Sequence, residues 1–246
     1  MTRTHRAGLL AASLMVAGCI GTETGNPYTA ALTYSARSSD PAVVGLAPGS
    51  GATVVVDSVW VSVTELHLDA HGGCAMPAAP SSDGPRVVEL VSPGEPARFA
   101  VTPGAYCGMR LMTDTASVAL PPGAPPELAG ATFVVTGRTG ASPFVAVVGM
   151  PRTLTLATSA GAFLLDGDRP ALGLALDVVP LLSGIDLASV SPDATGTIHV
   201  DAGHTPALAA ALDAATCPAL GLFHDDDADG HVSDAEAVHP LANGAH

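Results

Sequence analysis

Residues 224–236 read His-Asp-Asp-Asp-Ala-Asp-Gly-His-Val-Ser-Asp-Ala-Glu, six carboxylates in thirteen positions. Asp225, Asp227 and Asp229 alternate, Gly230 follows, and Glu236 comes six residues after the glycine. Such an oxygen-rich set suits a hard cation, and Ca²⁺ takes six to eight oxygens at about 2.4 Å. Alternate Asp side chains in a tightly wound loop converge on one point, and Gly230 permits the sharp turn at the sixth place. His231 is expected to offer its backbone carbonyl, Ser233 to act through water, and Glu236 to bind with both oxygens. Val232, at the eighth place, is expected to pack inward. The competing reading is a solvated acidic tail.

The spacing D-x-D-x-D-G-x-x-x-x-x-E resembles the EF-hand calcium loop. Ser233-Asp-Ala-Glu236 is also a capping box, so a helix should start where the exiting helix of such a loop begins. Pro240 limits it to little more than a turn. On the entering side, Cys217-Pro218 suits a helix start, packed by Leu220, Leu222 and Phe223. An earlier helix is expected over 206–215 with Thr205 as its cap. Only one loop is visible where EF-hands usually pair. The resemblance is therefore to dockerin-like and other secreted calcium modules, in which calcium cancels carboxylate repulsion and folds the segment.

The opposite end follows the secretory plan. Arg3 and Arg6 are a positive n-region, residues 8–16 a short apolar stretch, and Ala17-Gly18 small residues for processing. Val16-Ala17-Gly18-Cys19 resembles the bacterial lipobox, which implies cleavage before Cys19 and a lipid on its sulfur. Residues 19–27, polar and breaker-rich, read as a tether. Ile20 in place of an Asp after that Cys leans towards the outer membrane, so the expected location is the cell envelope, with the membrane as a partner through Cys19. In an oxidising compartment the remaining Cys74, Cys107 and Cys217 leave one thiol over. Cys74 and Cys107 are expected to pair, since the first lies in a loop and the second in a strand of the same region. No Cys/His spacing points to a zinc site.

The chain has 246 residues, a formal charge of -14 and nine Arg as its only Lys or Arg residues, which argues against nucleic-acid binding. With 27 Gly and 21 Pro, turns must be frequent. Strand-like runs are expected at 30–36, 57–69, 86–91, 97–101, 106–113, 132–138, 144–148, 152–157 and 172–178. In 57–69 the trio Val59, Val61 and Val63 alternates with polar residues, then the phase slips to Leu66 and Leu68. A β-bulge near Thr64-Glu65 restores one inward face. Trp60, on the other face, belongs under a loop or at a second contact. The expected class is mainly β: a two-sheet antiparallel sandwich over 28–200, with a small helical, calcium-binding appendage over 201–246.

The stretch 59–68 with His67, followed by 103–111 with Tyr106 and Arg110, resembles a family of bacterial lipoprotein domains of unknown function. Its members carry a V-x-V-x-x-V/L-x-V/L-H strand and later a P-x-G-x-Y-x-x-x-R-L strand. The resemblance implies a prealbumin-like or immunoglobulin-like sandwich and carries over no catalytic residue. His67 falls opposite the Leu66/Leu68 face, hence towards solvent, and Arg110 is expected to pair with a cross-strand acid. There is no G-x-S-x-G and no H-E-x-x-H, so the chain reads as a non-enzymatic, calcium-binding envelope protein with a structural or adhesive role. An exported small-molecule carrier or a hydrolase using the loops of the β body is the alternative.

Overall fold

In a computed structural model, residues 26–46, 49, 51–70, 84–116 and 119–245 are described. The strands are β1 (Tyr28–Arg37), β2 (Val44–Gly45), β3 (Val54–Ala70), β4 (Arg86–Glu89), β5 (Ala97–Val101), β6 (Gly104–Thr113) and β7 (Phe133–Thr139). They continue as β8 (Ser142–Val148), β9 (Arg152–Ala157), β10 (Phe163–Leu165), β11 (Ala171–Asp177), β12 (Ile198–Val200), β13 (Leu220–His224) and β14 (Ala242–Gly244). Among the described residues three α-helices join them: α1 (Val178–Leu182), α2 (Pro206–Thr216) and α3 (Asp234–Ala237). The chain is mainly β, as its alternation of apolar and polar residues requires.

The hydrogen bonds do not divide these strands into two antiparallel sheets. They draw one continuous sheet in the order β12-β8-β7-β3-β6-β9-β14-β13-β11-β1-β5, with β2 and β4 on β3 and β10 on β6. It is mixed: β1 runs parallel to β11, β12 to β8 and β2 to β3. The physical reason lies in β3. Its first half pairs with β7, and the second with β6, after a register shift between Val63 and Glu65. Val61 has partners in both β7 and β4, and Val63 in both β6 and β4. A strand has two edges, so β4 holds one, while β7 and then β6 share the other. The sheet forks there and curls, and the Ala36 N–H donating to the Leu90 carbonyl draws β1 towards the end of β4.

Curling buries one continuous core. Leu32, Val59, Leu66, Met109, Leu111, Leu156, Leu172, Leu176 and Leu222 lie in it, each almost fully buried. Each such side chain contributes about 1.5–3 kcal/mol by leaving water. The cavity inside, lined by Tyr34, Leu111, Phe133 and Leu174 among others, measures only about 20 Å³, the room one water needs. Trp60 does sit at a second contact. On the outer face of β3 it packs with Leu128, Ala131 and Val134.

The segment 201–246 is not a helical appendage. It contributes β13 and β14 to the middle of the sheet. The helix expected from Cys217 onward is the strand β13, because Leu220 and Leu222 face the main core while Phe223 faces the other side. Period-two burial on both faces outweighed the helix-start signal of Pro218. Among the described residues no helix is long and apolar enough to cross a membrane. Residues 1–25 and Cys74 lie outside the described residues, and with them Cys19, the lipobox and most of the tether.

Candidate metal centre

The acidic loop leaves the end of β13 in the middle of the sheet. Asp225 still belongs to the strand's ladder, its N–H donating to the Ala171 carbonyl at 3.2 Å. That places its side chain under the loop, with only 6% of the residue exposed. The chain then turns through Ala228, at φ 56°, and Gly230, at φ 84°, two left-handed steps that wind it tightly.

Val232 packs inward, as its place in the pattern predicts. It meets Ala175 and Phe223 on the outer face of β11 and β13, with Ala237 alongside. Gly173 makes this seat possible, since a Cβ there would lie 2.5 Å from Val232 Cγ2. The loop is therefore docked on the sheet, and Ser233 starts α3 with both halves of its capping box formed.

Docking brings carboxylates together. Oxygens of Asp225, Asp227 and Asp229 lie within 4.8 Å of one another, and these three could hold a metal ion. Asp225 Oδ2 accepts from the Gly230 N–H at 3.1 Å and Asp229 Oδ1 from the His231 N–H at 2.7 Å. Glu236 closes the loop from the helix side. Its Oε1 accepts from the Asp226 N–H at 2.7 Å, and its Oε2 from both the N–H and the hydroxyl of Ser233 at 2.8 Å. Asp225 Oδ2 and Asp229 Oδ1 each keep a further lone pair, whereas Glu236 Oε2 already accepts twice. Asp225 Oδ1 is different: it is buried and, among the described residues, no group lies in hydrogen-bonding geometry to it.

The electrostatics follow. Burial pushes the Asp225 carboxyl above its ordinary value; the Gly230 N–H opposes this, and the charges of Glu236 and Asp229 add to it. For Glu236, burial acts in the same direction but is outweighed by the Ser233 N–H and hydroxyl and the N–H groups of Asp226 and Asp227, which hold it below its ordinary value. The loop thus confines several negative charges around one buried, unsatisfied oxygen. A cation there relieves both costs at once.

No family model matches the chain, and no curated protein does. Among solved structures it resembles MbnP from Methylosinus trichosporium at 13% identity, over 64% of this chain and 78% of that one, with a TM-score of 0.36. A likeness at that level carries no functional argument.

The other singled-out residues fall as follows. Arg110 does pair with an acid, Asp69 of β3, through Nε at 3.0 and 3.1 Å and a second nitrogen at 2.6 Å. His67 is not on a solvent-facing surface. It is only 9% exposed, with Nε2 2.9 Å from Glu65 Oε2. Cys107 is disulfide-bonded and Cys217 is a free thiol. Thr205 does precede α2, but its hydroxyl donates to the His199 carbonyl at 3.2 Å rather than capping the helix.

Sequence reasoning missed a second polar cluster around β12. There His199 and His204 stand with ring centroids 5.3 Å apart. The H-x-x-x-x-H spacing straddles a strand end and a turn, so no single periodic element advertises it.

Proposed function

We propose that this is an exported, lipid-anchored protein of the cell envelope whose 225–236 loop binds calcium, the ion holding the loop folded against the sheet. The observation that carries the calcium reading is Asp225 Oδ1, a buried oxygen without a partner among like charges. Spacing supports it from the sequence side, since Asp225, Asp227, Asp229, the His231 carbonyl, Ser233 and Glu236 occupy the six ligand places of a calcium loop. Export is supported by the Arg3/Arg6 n-region and lipobox ending at Cys19, and by the disulfide at Cys107, which suits an oxidising compartment. We pair Cys107 with Cys74. The membrane partner is reached through the lipid on Cys19, at the outer membrane, and nucleic acid is no partner.

The β body then serves a structural or binding role without catalysis. A core cavity of about 20 Å³ favours this over a carrier that encloses its ligand. Calorimetric titration of the purified protein with calcium tests the reading, alongside Glu236→Gln. Saturable binding of one ion, weakened at least about tenfold in the variant, about 1.4 kcal/mol, is the expected result. Typical sites outside the cytosol have a Kd of about 10⁻⁴–10⁻³ M. Silence at several-fold higher calcium refutes the calcium reading. Membrane partitioning of Cys19→Ala tests the anchor separately, and unchanged partitioning refutes it.

A further inference from the structure

A groove of about 540 Å³ opens beside β12 and the start of α2, lined by Asp193, Thr197, His199, His204 and Thr205 among others. Two imidazoles line it, and each is held by a carboxylate through one nitrogen. His199 Nε2 lies 3.1 Å from Asp193 Oδ2, and His204 Nδ1 lies 2.8 Å from Asp201 Oδ2. This sets the tautomers: the engaged nitrogens carry the protons, and Nδ1 of His199 and Nε2 of His204 present lone pairs.

The carboxylates are themselves fixed. Asp193 Oδ1 accepts from the N–H and hydroxyl of Thr195 at 2.8 and 2.6 Å and from the Thr197 N–H at 3.0 Å. Asp201 Oδ1 accepts from the N–H groups of Gly203 and His204 at 2.7 and 2.8 Å. The Thr205 hydroxyl on the His199 carbonyl ties the turn to the strand. A histidine whose far nitrogen donates to a fixed carboxylate is the usual arrangement behind a metal-ligating imidazole.

Dimensions agree with that arrangement. A tetrahedral ion about 2.05 Å from each ligand nitrogen holds two imidazole centroids roughly 5.2 Å apart. The two rings here are 5.3 Å apart, and the His204 side chain, 68% exposed, is free to adjust. Imidazole nitrogen selects borderline transition metals over calcium, so the site is chemically distinct from the carboxylate loop.

We propose that His199 and His204 form a binding site for a divalent transition-metal ion, with Asp193 and Asp201 as the carboxylates that position them. The two imidazoles supply two ligands, and the open groove leaves the remaining positions to water or to a small ligand.

The test is a zinc titration of the full-length protein in saturating calcium, which occupies the acidic loop and removes it from competition. Wild type is expected to take up one zinc ion. His204→Gln should weaken this at least about tenfold, and Asp201→Asn, which keeps acceptors for the turn, roughly 10- to 100-fold. Circular dichroism and the calcium response confirm that each variant is folded. No zinc uptake by wild type overturns the proposal, as does uptake undiminished in His204→Gln and in a His199→Asn/His204→Gln double variant. Failure of calcium binding with zinc binding intact leaves this site standing and removes only the calcium reading.

Discussion

Asp69 and Asp225 are buried to nearly the same degree, 7% and 6% exposed. Asp69, on β3, has the Arg110 guanidinium against both its oxygens, as near as 2.6 Å. Asp225, just past β13, has Asp227, Asp229 and Glu236 for charged company, and one of its oxygens bonds to nothing. The fold supplies its own cation to the first carboxylate. At the second it leaves a negative, partly dehydrated cage, which on the proposed reading an ion from solution would complete. A buried charge of one sign is tolerable only with its opposite nearby, so the two sites differ in where the compensating charge comes from.

Breaking the internal pair should have the largest effect. Arg110→Ala strands a buried carboxylate and is expected to cost about 3–5 kcal/mol in urea unfolding. The loss should be the same in calcium and in chelator, because Asp69 lies outside the acidic loop. A loss under 1 kcal/mol, on the scale of an exposed pair, would show that Asp69 is solvated in solution.

At the other carboxylate the outcome depends on calcium. If the loop binds calcium as proposed, calcium at ten times its Kd should stabilise the native chain by about 1.4 kcal/mol through linkage. Asp225→Asn keeps an acceptor for Gly230 but drops the charge, so this rise in melting temperature should vanish. In chelator the variant should be at least as stable as the native chain. Equal calcium stabilisation of both proteins would remove Asp225 from the site.

A third buried ionisable group sharpens the contrast, since it is neutral at ordinary pH. Tyr34 is 4% exposed, its hydroxyl has no partner, and burial pushes its pKa up to about 12. The unfolded chain releases this proton near pH 10. Stability is therefore fully present below about pH 10 and falls by roughly 1.4 kcal/mol per pH unit up to the folded value. Tyr34→Phe should make this alkaline decline shallower while changing little at neutral pH, leaving the part due to Tyr28 and Tyr106, whose pKa values burial also raises, and an unaltered decline would place the titrating group elsewhere.

The smallest effect is expected at the exit of the loop. Ser233→Ala removes the hydroxyl from the capping box and should cost about 0.5–1 kcal/mol in chelator. The loss should grow in calcium if the Ser233 hydroxyl also serves the ion, and stay the same if it serves only as the cap.

The acidic loop was legible in the sequence because its chemistry is local. Asp225 to Glu236 carry spacing, turn glycine, inward Val232 and capping box within one contiguous stretch. The bulge at Thr64-Glu65 was legible for the same reason, as a phase slip inside one strand. Topology was not. β13 is short and apolar on both faces, which periodicity cannot separate from a buried helix. The forked edge of β3 depends on β6 and β7, about 40 and 70 residues further on. His67 was misplaced because a strand's outer face is solvent only if nothing covers it. The histidine groove was missed because Asp193, Asp201 and the two rings meet across a turn, in a pattern that only three dimensions show.

Residues 220–244 insert between β11 and β9, which are assembled from chain synthesised well before them. Until this late stretch arrives, both earlier strands present open hydrogen-bonding edges. A nascent chain therefore cannot close its sheet progressively, and folding waits on distant contacts, which are slow to form. If the chain is exported as proposed, that delay would be an asset, because it keeps the chain threadable. It also makes any truncation upstream of Leu220 a source of exposed edges primed for aggregation.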